Sequence, residues 1–381
     1  MGSINNISTK QKEECCGCGL CANICTKQAI TMQPDTLGFR YPVVDIEKCT
    51  NCGLCVKKCP FEKPVPQSDF TQRYFALRHK DEAELLKSQS GAAFVILSDV
   101  VLKDGGVVYG AALDNQFHVL HKRATTEEER EELRYSKYTQ SNIENCFESI
   151  KTDLRDGLTV MFTGTPCQVA AVKSAIPTKL SEKLFLVDII CHGVPSPQIW
   201  NDYLVYIENK YGKIKKAYFR DKRKGWNVQK ETFQCNKEHS FITFKKIFHS
   251  RVCLRHSCYN CQFTSFERSS DITISDFWGW EKISDKFSDN KGVSLAIINT
   301  DKGLSYFTSI EKGHFSQEVN KEDCSQPQLN HPAKYNPNRE VFEEEYKQKG
   351  FMYVAKKYSD LNLKTQVKYL LRRIVNTLKR K

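Results

Sequence analysis

A small α+β unit followed by a larger α/β domain is the fold that this sequence of 381 residues predicts, and two observations carry it. The first is a pair of cysteine runs near the N-terminus, each spaced C-x2-C-x2-C-x3-C: Cys15, Cys18, Cys21 and Cys25, then Cys49, Cys52, Cys55 and Cys59. The second is an alternation of strand-like and helix-like stretches from Arg73 onward, which implies a layered core around a sheet.

The cysteine spacing is that of two-cluster bacterial ferredoxins, where the first three cysteines of a run hold one iron–sulfur cluster and the fourth crosses to the other. Residues 1–62 are therefore expected to form a ferredoxin-like dicluster domain. One 4Fe-4S cluster would take Cys15, Cys18, Cys21 and Cys59, and its neighbour Cys49, Cys52, Cys55 and Cys25. Soft thiolates suit iron clusters, and Gly17, Gly19 and Gly53 leave the backbone room to wrap them. Zinc needs only four ligands per site and does not call for two matching runs. Cys16 falls outside the pattern and reads as a bystander, and Thr26 stands where the first run would usually carry proline. Between the runs, residues 29–32 and 39–45 read as short strands around a turn at 34–38.

Seventeen cysteines would signal a disulfide scaffold in a short secreted chain. Here the stretch MGSINNISTKQKEE has no apolar signal region and no apolar run is long enough to cross a bilayer, so a cytoplasmic, reducing setting is expected. The net charge of +12 permits nucleic acid, an anionic membrane surface or an acidic redox partner such as a ferredoxin. Aromatic and basic residues interleave at 218–226 and 241–251. With no nucleic-acid motif beside them, these stretches read as strands with one solvent face, and no nucleic-acid partner is expected.

Residues 63–72, rich in proline, read as a linker. Strands follow at 73–79, 107–113 and 117–124, with a helix over 92–102 and a threonine-capped acidic helix over 125–133. After a loop at 136–141, a helix at 142–157 leads to a buried strand at 158–162, which ends at TGTPCQ. A helix at 169–176 and a strand at 184–190 repeat the event, ending at CHGVPSP. Ligands bind beyond the carboxyl ends of such strands, so Cys167 and Cys191 are both placed at a site edge. Together with Cys258 and Cys261 they supply four thiolates and suggest a third cluster, with Cys253 a rival ligand. Strands at 272–275 and 291–300 complete the core. Near the C-terminus, Val367, Leu370, Leu371, Ile374, Val375 and Leu378 share one face of a basic amphipathic helix, which fits docking to its own protein better than lying on a membrane.

The stretches SQSGAAF (88–94), GGVVYGAA (105–112), SKYTQS (136–141), FTGTPCQ (162–168), DIICHGVPSP (188–197), FRDKRKGW (219–226), LRHSCYNC (254–261) and DITISDFWGW (271–280) together resemble the coenzyme F-420 hydrogenase/dehydrogenase beta-subunit family, in a form with an N-terminal dicluster domain. The resemblance implies a flavin-side domain over 73–157, a domain with the third iron–sulfur site over 158–340, and a mixed sheet holding FAD without a Rossmann fingerprint; beyond it, residues 341–381 read as basic helices. It implies flavin contacts at Ser88, Ser90, Gly91, Gly106, Gly110, Ser136, Lys137, Tyr138, Thr163, Gly164, Thr165 and Pro166. It assigns the third cluster to Cys167, Cys191, Cys258 and Cys261. Lys137, and Arg220 or Lys222, are candidates for holding an anionic group.

A flavin exchanges one or two electrons and can mediate between one-electron clusters and a hydride-type acceptor. The expected function is an FAD and 4Fe-4S oxidoreductase linking a ferredoxin-type donor or acceptor to a small organic substrate. The alternative is an electron-relay subunit of a larger complex with no substrate site of its own. A basic, zinc-bearing RNA-binding protein is a third reading, which predicts no visible colour.

Overall fold

The computed structural model describes residues 5–62, 65 and 68–362. In the N-terminal unit, β1 (Ile30–Pro34) and β2 (Arg40–Val44) form an antiparallel hairpin. Asp35 fixes its turn, because its Oδ1 accepts the backbone N–H groups of Leu37 and Phe39 at 3.0 and 2.9 Å. A one-turn helix lies within each cysteine run, at Leu20–Asn23 and Leu54–Lys57. Each begins after a glycine in the left-handed region, Gly19 at φ +76° and Gly53 at φ +73°. A residue with a Cβ is strained there.

The larger part is built on one eight-stranded mixed sheet. Its strands are β3 (Arg73–Arg78), β4 (Val107–Leu113), β5 (Val119–Ala124), β6 (Val160–Gly164) and β7 (Leu184–Ile189). A small antiparallel sheet of β8 (Lys216–Tyr218), β9 (Glu231–Gln234) and β10 (Glu238–Phe241) interrupts the series before β11 (Ile272–Asp276), β12 (Ser294–Ile298) and β13 (Phe315–Val319). The order across the large sheet is β13-β3-β12-β11-β7-β6-β4-β5. The central strands β4, β6, β7 and β11 run parallel; the flanking pairs are antiparallel. Continuous apolar runs such as Val160–Phe162 suit strands covered on both faces. On one face lie the helices Ala93–Lys103 and Asp301–Glu311, with Ile96, Val101 and Phe307 against Val108, Met161 and Phe185. On the other lie Cys146–Arg155 and Pro166–Ala175, with Phe147, Ile150 and Val169 against Phe162 and Leu186.

The boundary expected at 157/158 runs through this sheet, which takes strands from both sides of it. Residues 241–251 are also not a strand throughout. Thr243–Ser250 is a helix burying Phe244, Ile247 and Phe248, three positions on one helical face, so the apolar spacing of this stretch is helical rather than alternating. Phe244 and Ile247 join Trp200, Tyr203 and Phe233 in a second core, while Phe248 packs with Leu254 and Ala333. The chain beyond Asn338 continues as a helix over Arg339–Tyr358, kinked at Gly350, whose Phe342, Phe351 and Val354 enter the same core. The amphipathic stretch around Val367–Leu378 lies outside the described residues. No described helix is long and apolar enough to cross a membrane.

The N-terminal unit shares the second core. Leu37 and Phe39, both fully buried, pack into it. Leu37 O accepts from Ser196 Oγ at 2.6 Å and from Gln198 N at 3.2 Å.

Candidate functional site

The two N-terminal runs fold back on each other. The Cys21 thiol feels the charges of Cys15, Cys59 and Cys55, and the Cys55 thiol that of Cys49, so cysteines of both runs are neighbours. Burial pushes the Cys21 and Cys55 thiols up, the direction that bound iron would reverse. Backbone and amide N–H groups already point at sulfur: Ala29 N at 3.4 Å from Cys25 Sγ, Asn51 N at 3.4 Å and Asn6 Nδ2 at 3.7 Å from Cys49 Sγ. Among the described residues, no three His, Cys, Asp or Glu side chains are arranged to hold a single metal ion.

A second set of cysteines gathers beyond the ends of β6 and β7. After β6, Thr165 caps the helix Pro166–Ala175 in a reciprocal box with Gln168, and Pro166 occupies its first turn. That start fixes Cys167, whose Sγ lies 3.2 Å from Thr165 Oγ1. Cys191 follows β7, and Cys258 and Cys261 come from the short turn His256–Asn260 and its end. All four line one small cavity. Val194 N donates to Cys258 Sγ at 3.4 Å. Burial, then the neighbouring thiols, push Cys258 and Cys261 up to about 12. Four crowded thiols with no acid to serve suit a thiolate-held cluster.

Cys16, read from the sequence as a bystander, lies in the wall of this cavity, and its thiol is in hydrogen-bonding contact with those of Cys167 and Cys18. Cys253, the rival ligand, is fully buried in the second core with its Sγ directed at Ile247 O, 3.9 Å away. Cys146, Cys235 and Cys324 are also buried away from the cavity.

Beside the cysteine cavity opens a larger one of about 330 Å³. Thr165, Cys191, Gly193 and Val194 line both, so one layer of residues separates them. The expected contacts Ser88, Ser90, Ser136, Lys137, Tyr138, Thr163, Gly164 and Thr165 are in the wall of the larger cavity. Gly91, Gly106, Gly110 and Pro166 are not. The glycines answer to packing instead: a Cβ on Gly91 would stand 2.1 Å from Leu77 O, on Gly106 2.7 Å from Thr159 O, and on Gly110 3.0 Å from Thr163 Oγ1. Pro166 lines the cysteine cavity.

Residues 157–323 match the family model for the carboxyl-terminal part of the coenzyme F420 hydrogenase/dehydrogenase beta subunit, and residues 14–63 match that of the 4Fe-4S dicluster domain. Over residues 157–323 the chain is thus similar to the beta subunits of that family. No curated protein matches it. Among solved structures, a chain of the F420-reducing (NiFe) hydrogenase complex from Methanosarcina barkeri is similar at 19% identity and a TM-score of 0.45, over 77% of this chain and 93% of that one.

Three basic side chains within residues 157–323 that the sequence did not single out also line the larger cavity: His192, Lys245 and His249. Lys245 and His249 are one turn apart on the helix Thr243–Ser250. Asp276 is a carboxylate in the same wall, and it is engaged by Arg220 Nη1 at 2.5 Å and Trp226 Nε1 at 2.6 Å. The anion-holding candidates of the sequence divide accordingly. Arg220 is tied to Asp276, and Lys222 Nζ is spent on Leu85 O and Ser90 O at 2.7 and 2.6 Å. Lys137 lines the cavity; burial lowers its pKa to about 7 while Arg134 O accepts from its Nζ at 2.5 Å. The signal for the missed residues was weak in the sequence, since His192 follows a cysteine and Lys245 sits in a stretch that imitates a strand.

Proposed function

We propose that this iron–sulfur protein, of oxidoreductase or electron-transfer type, carries three 4Fe-4S clusters and FAD and passes electrons between a ferredoxin-type partner and a small organic substrate. The observation that supports this most is the common wall of the two cavities, Thr165 to Val194. A redox ring bound in the larger cavity would lie one residue layer from a cluster held by Cys167, Cys191, Cys258 and Cys261.

The cavity has the size and mixed lining expected of a cofactor site. Ser88 to Ser90, Ser136 to Tyr138 and Thr163 to Thr165 would hold the flavin, which when bound converts between one- and two-electron chemistry. Aromatic side chains Tyr138, Phe219, Phe244 and Phe248 exclude water from the wall. Lys137, Lys245 and the two histidines offer N–H donors to anionic groups of cofactor or substrate.

An anaerobic inventory of iron, acid-labile sulfide and extracted flavin tests the reading. The expected result is three clusters and one FAD per chain, with Cys167→Ala losing one cluster and keeping two. Two clusters and no flavin in the native protein would sink it. The family description, a beta subunit, favours a second reading: an electron-relay subunit of a larger complex. In that case a partner enzyme co-purifies, and the isolated chain reduces artificial acceptors but no metabolite.

A further inference from the structure

Arg255 is 1% exposed and, unlike the other buried arginines of the described chain, has no carboxylate partner. Arg78, Arg130, Arg134, Arg220, Arg268 and Arg339 each face an aspartate or glutamate. Arg255 instead spends its guanidinium on neutral acceptors and sulfur. Nε donates to Cys15 O at 2.7 Å, Nη1 to Gln140 Oε1 at 3.0 Å, and Nη2 to Arg40 O at 2.9 Å. Nη2 also lies 3.6 Å from Cys15 Sγ. The group sits over the Tyr41 ring, 4.2 Å from its centroid.

A buried cation without a counter-charge is strongly disfavoured, and carbonyl dipoles with the ring faces of Tyr41 and Phe39 offset only part of that. The missing negative charge has two natural sources on either side. One is the thiolate set that includes Cys15. The other is the cavity of Cys167, Cys191, Cys258 and Cys261, whose wall includes Arg255 itself. Gly17, between Cys16 and Cys18, is shaped to admit the guanidinium: a Cβ there would lie 2.5 Å from Nη1.

We propose that Arg255 is the shared counter-cation of the Cys15 cluster and of the cluster held by Cys167, Cys191, Cys258 and Cys261, and that it raises the reduction potential of both. The inference rests on the reading of both cysteine sets as cluster ligands. Hydrogen bonds to sulfur and nearby net charge are the protein's means of setting such potentials. A reduced cluster carries one more negative charge than an oxidised one, so the cation favours reduction on both sides of it. Among the described contacts of Arg255 none is to Cys49, Cys52, Cys55 or Cys25, so the cluster assigned to these four is the internal reference.

The test is an anaerobic redox titration followed by electron paramagnetic resonance on the full-length holoprotein, native and Arg255→Gln, with Arg255→Lys as the charge-keeping variant. In Arg255→Gln the two flanking clusters should become tenfold or more harder to reduce at a fixed potential, about 59 mV for a one-electron couple. The reference cluster should not move, and Arg255→Lys should recover most of the shift although it loses the fork of donors. A purely structural role would give no such charge-dependent recovery. Should the glutamine variant not hold its clusters, pulsed resonance on native protein labelled with 15N-arginine decides: a 15N coupling on the reduced Cys15 cluster, absent from Arg255→Lys, is expected. Three fully loaded clusters whose potentials ignore Arg255, or all shift equally, or a native protein without arginine coupling, overturn the inference alone. A native inventory lacking the third cluster overturns it together with the proposed function.

Discussion

Glu231 shows how burial writes itself into pH dependence. Its side chain is fully enclosed; Oε1 accepts from Phe244 N at 2.8 Å and from the Tyr203 hydroxyl at 3.3 Å. Desolvation pushes its pKa up to about 7 from 4.5, so the folded state holds a proton that the unfolded state has already released. Stability from this group is present below pH 4.5 and lost as pH rises through 7. The loss is on the order of 3 kcal/mol for a shift of this size. Glu231→Gln keeps the acceptor for Phe244 and removes the titration, so its melting temperature should change less than that of the native protein between pH 5 and pH 8. Parallel curves for the two proteins would show that Glu231 is not the group responsible.

At the scale of elements, the strands were readable because their chemistry is local: Val160–Phe162 and Leu184–Val187 are apolar runs bounded by glycine and polar turns, and each became a central strand. The cysteine runs were equally legible, since their spacing is itself the constraint. The helix Thr243–Ser250 was not, because Phe241 and Ile242 precede the helical set Phe244, Ile247 and Phe248 and blur its period. The expected flavin glycines Gly91, Gly106 and Gly110 lie outside the cavity wall for a related reason, since a glycine in a sequence looks the same whether it meets a cofactor or a neighbouring strand. Gly91 meets backbone, Leu77 O and Ser294 N, which cannot swing aside. Gly91→Ala should therefore force β3 and β12 apart and cost about 1–3 kcal/mol by overpacking, read as a lower urea midpoint with cluster content unchanged. An unchanged midpoint with lost flavin would return Gly91 to the cofactor.

For the molecule as a whole, the N-terminal unit is a part of the larger fold rather than a bead on a linker. Phe39 belongs to it in sequence and to the Trp200 core in space. Phe39→Ala should cost about 3–5 kcal/mol, visible as a single shifted transition by both near-ultraviolet dichroism and cluster absorbance; two separate transitions in the native protein would mean that the halves unfold independently. Neither this docking nor the place of Arg255 could be read from the chain, because both join residues far apart in sequence. The distance also has a meaning in time. Cys15 O is claimed by a side chain 240 positions later, and a ribosome adding ~5–20 residues per second needs roughly 10–40 s to travel from the end of the dicluster unit to Arg255. During that interval the two cysteine runs emerge from the ribosome without their cover, which would give iron–sulfur delivery a period of open access that closes as the chain is completed.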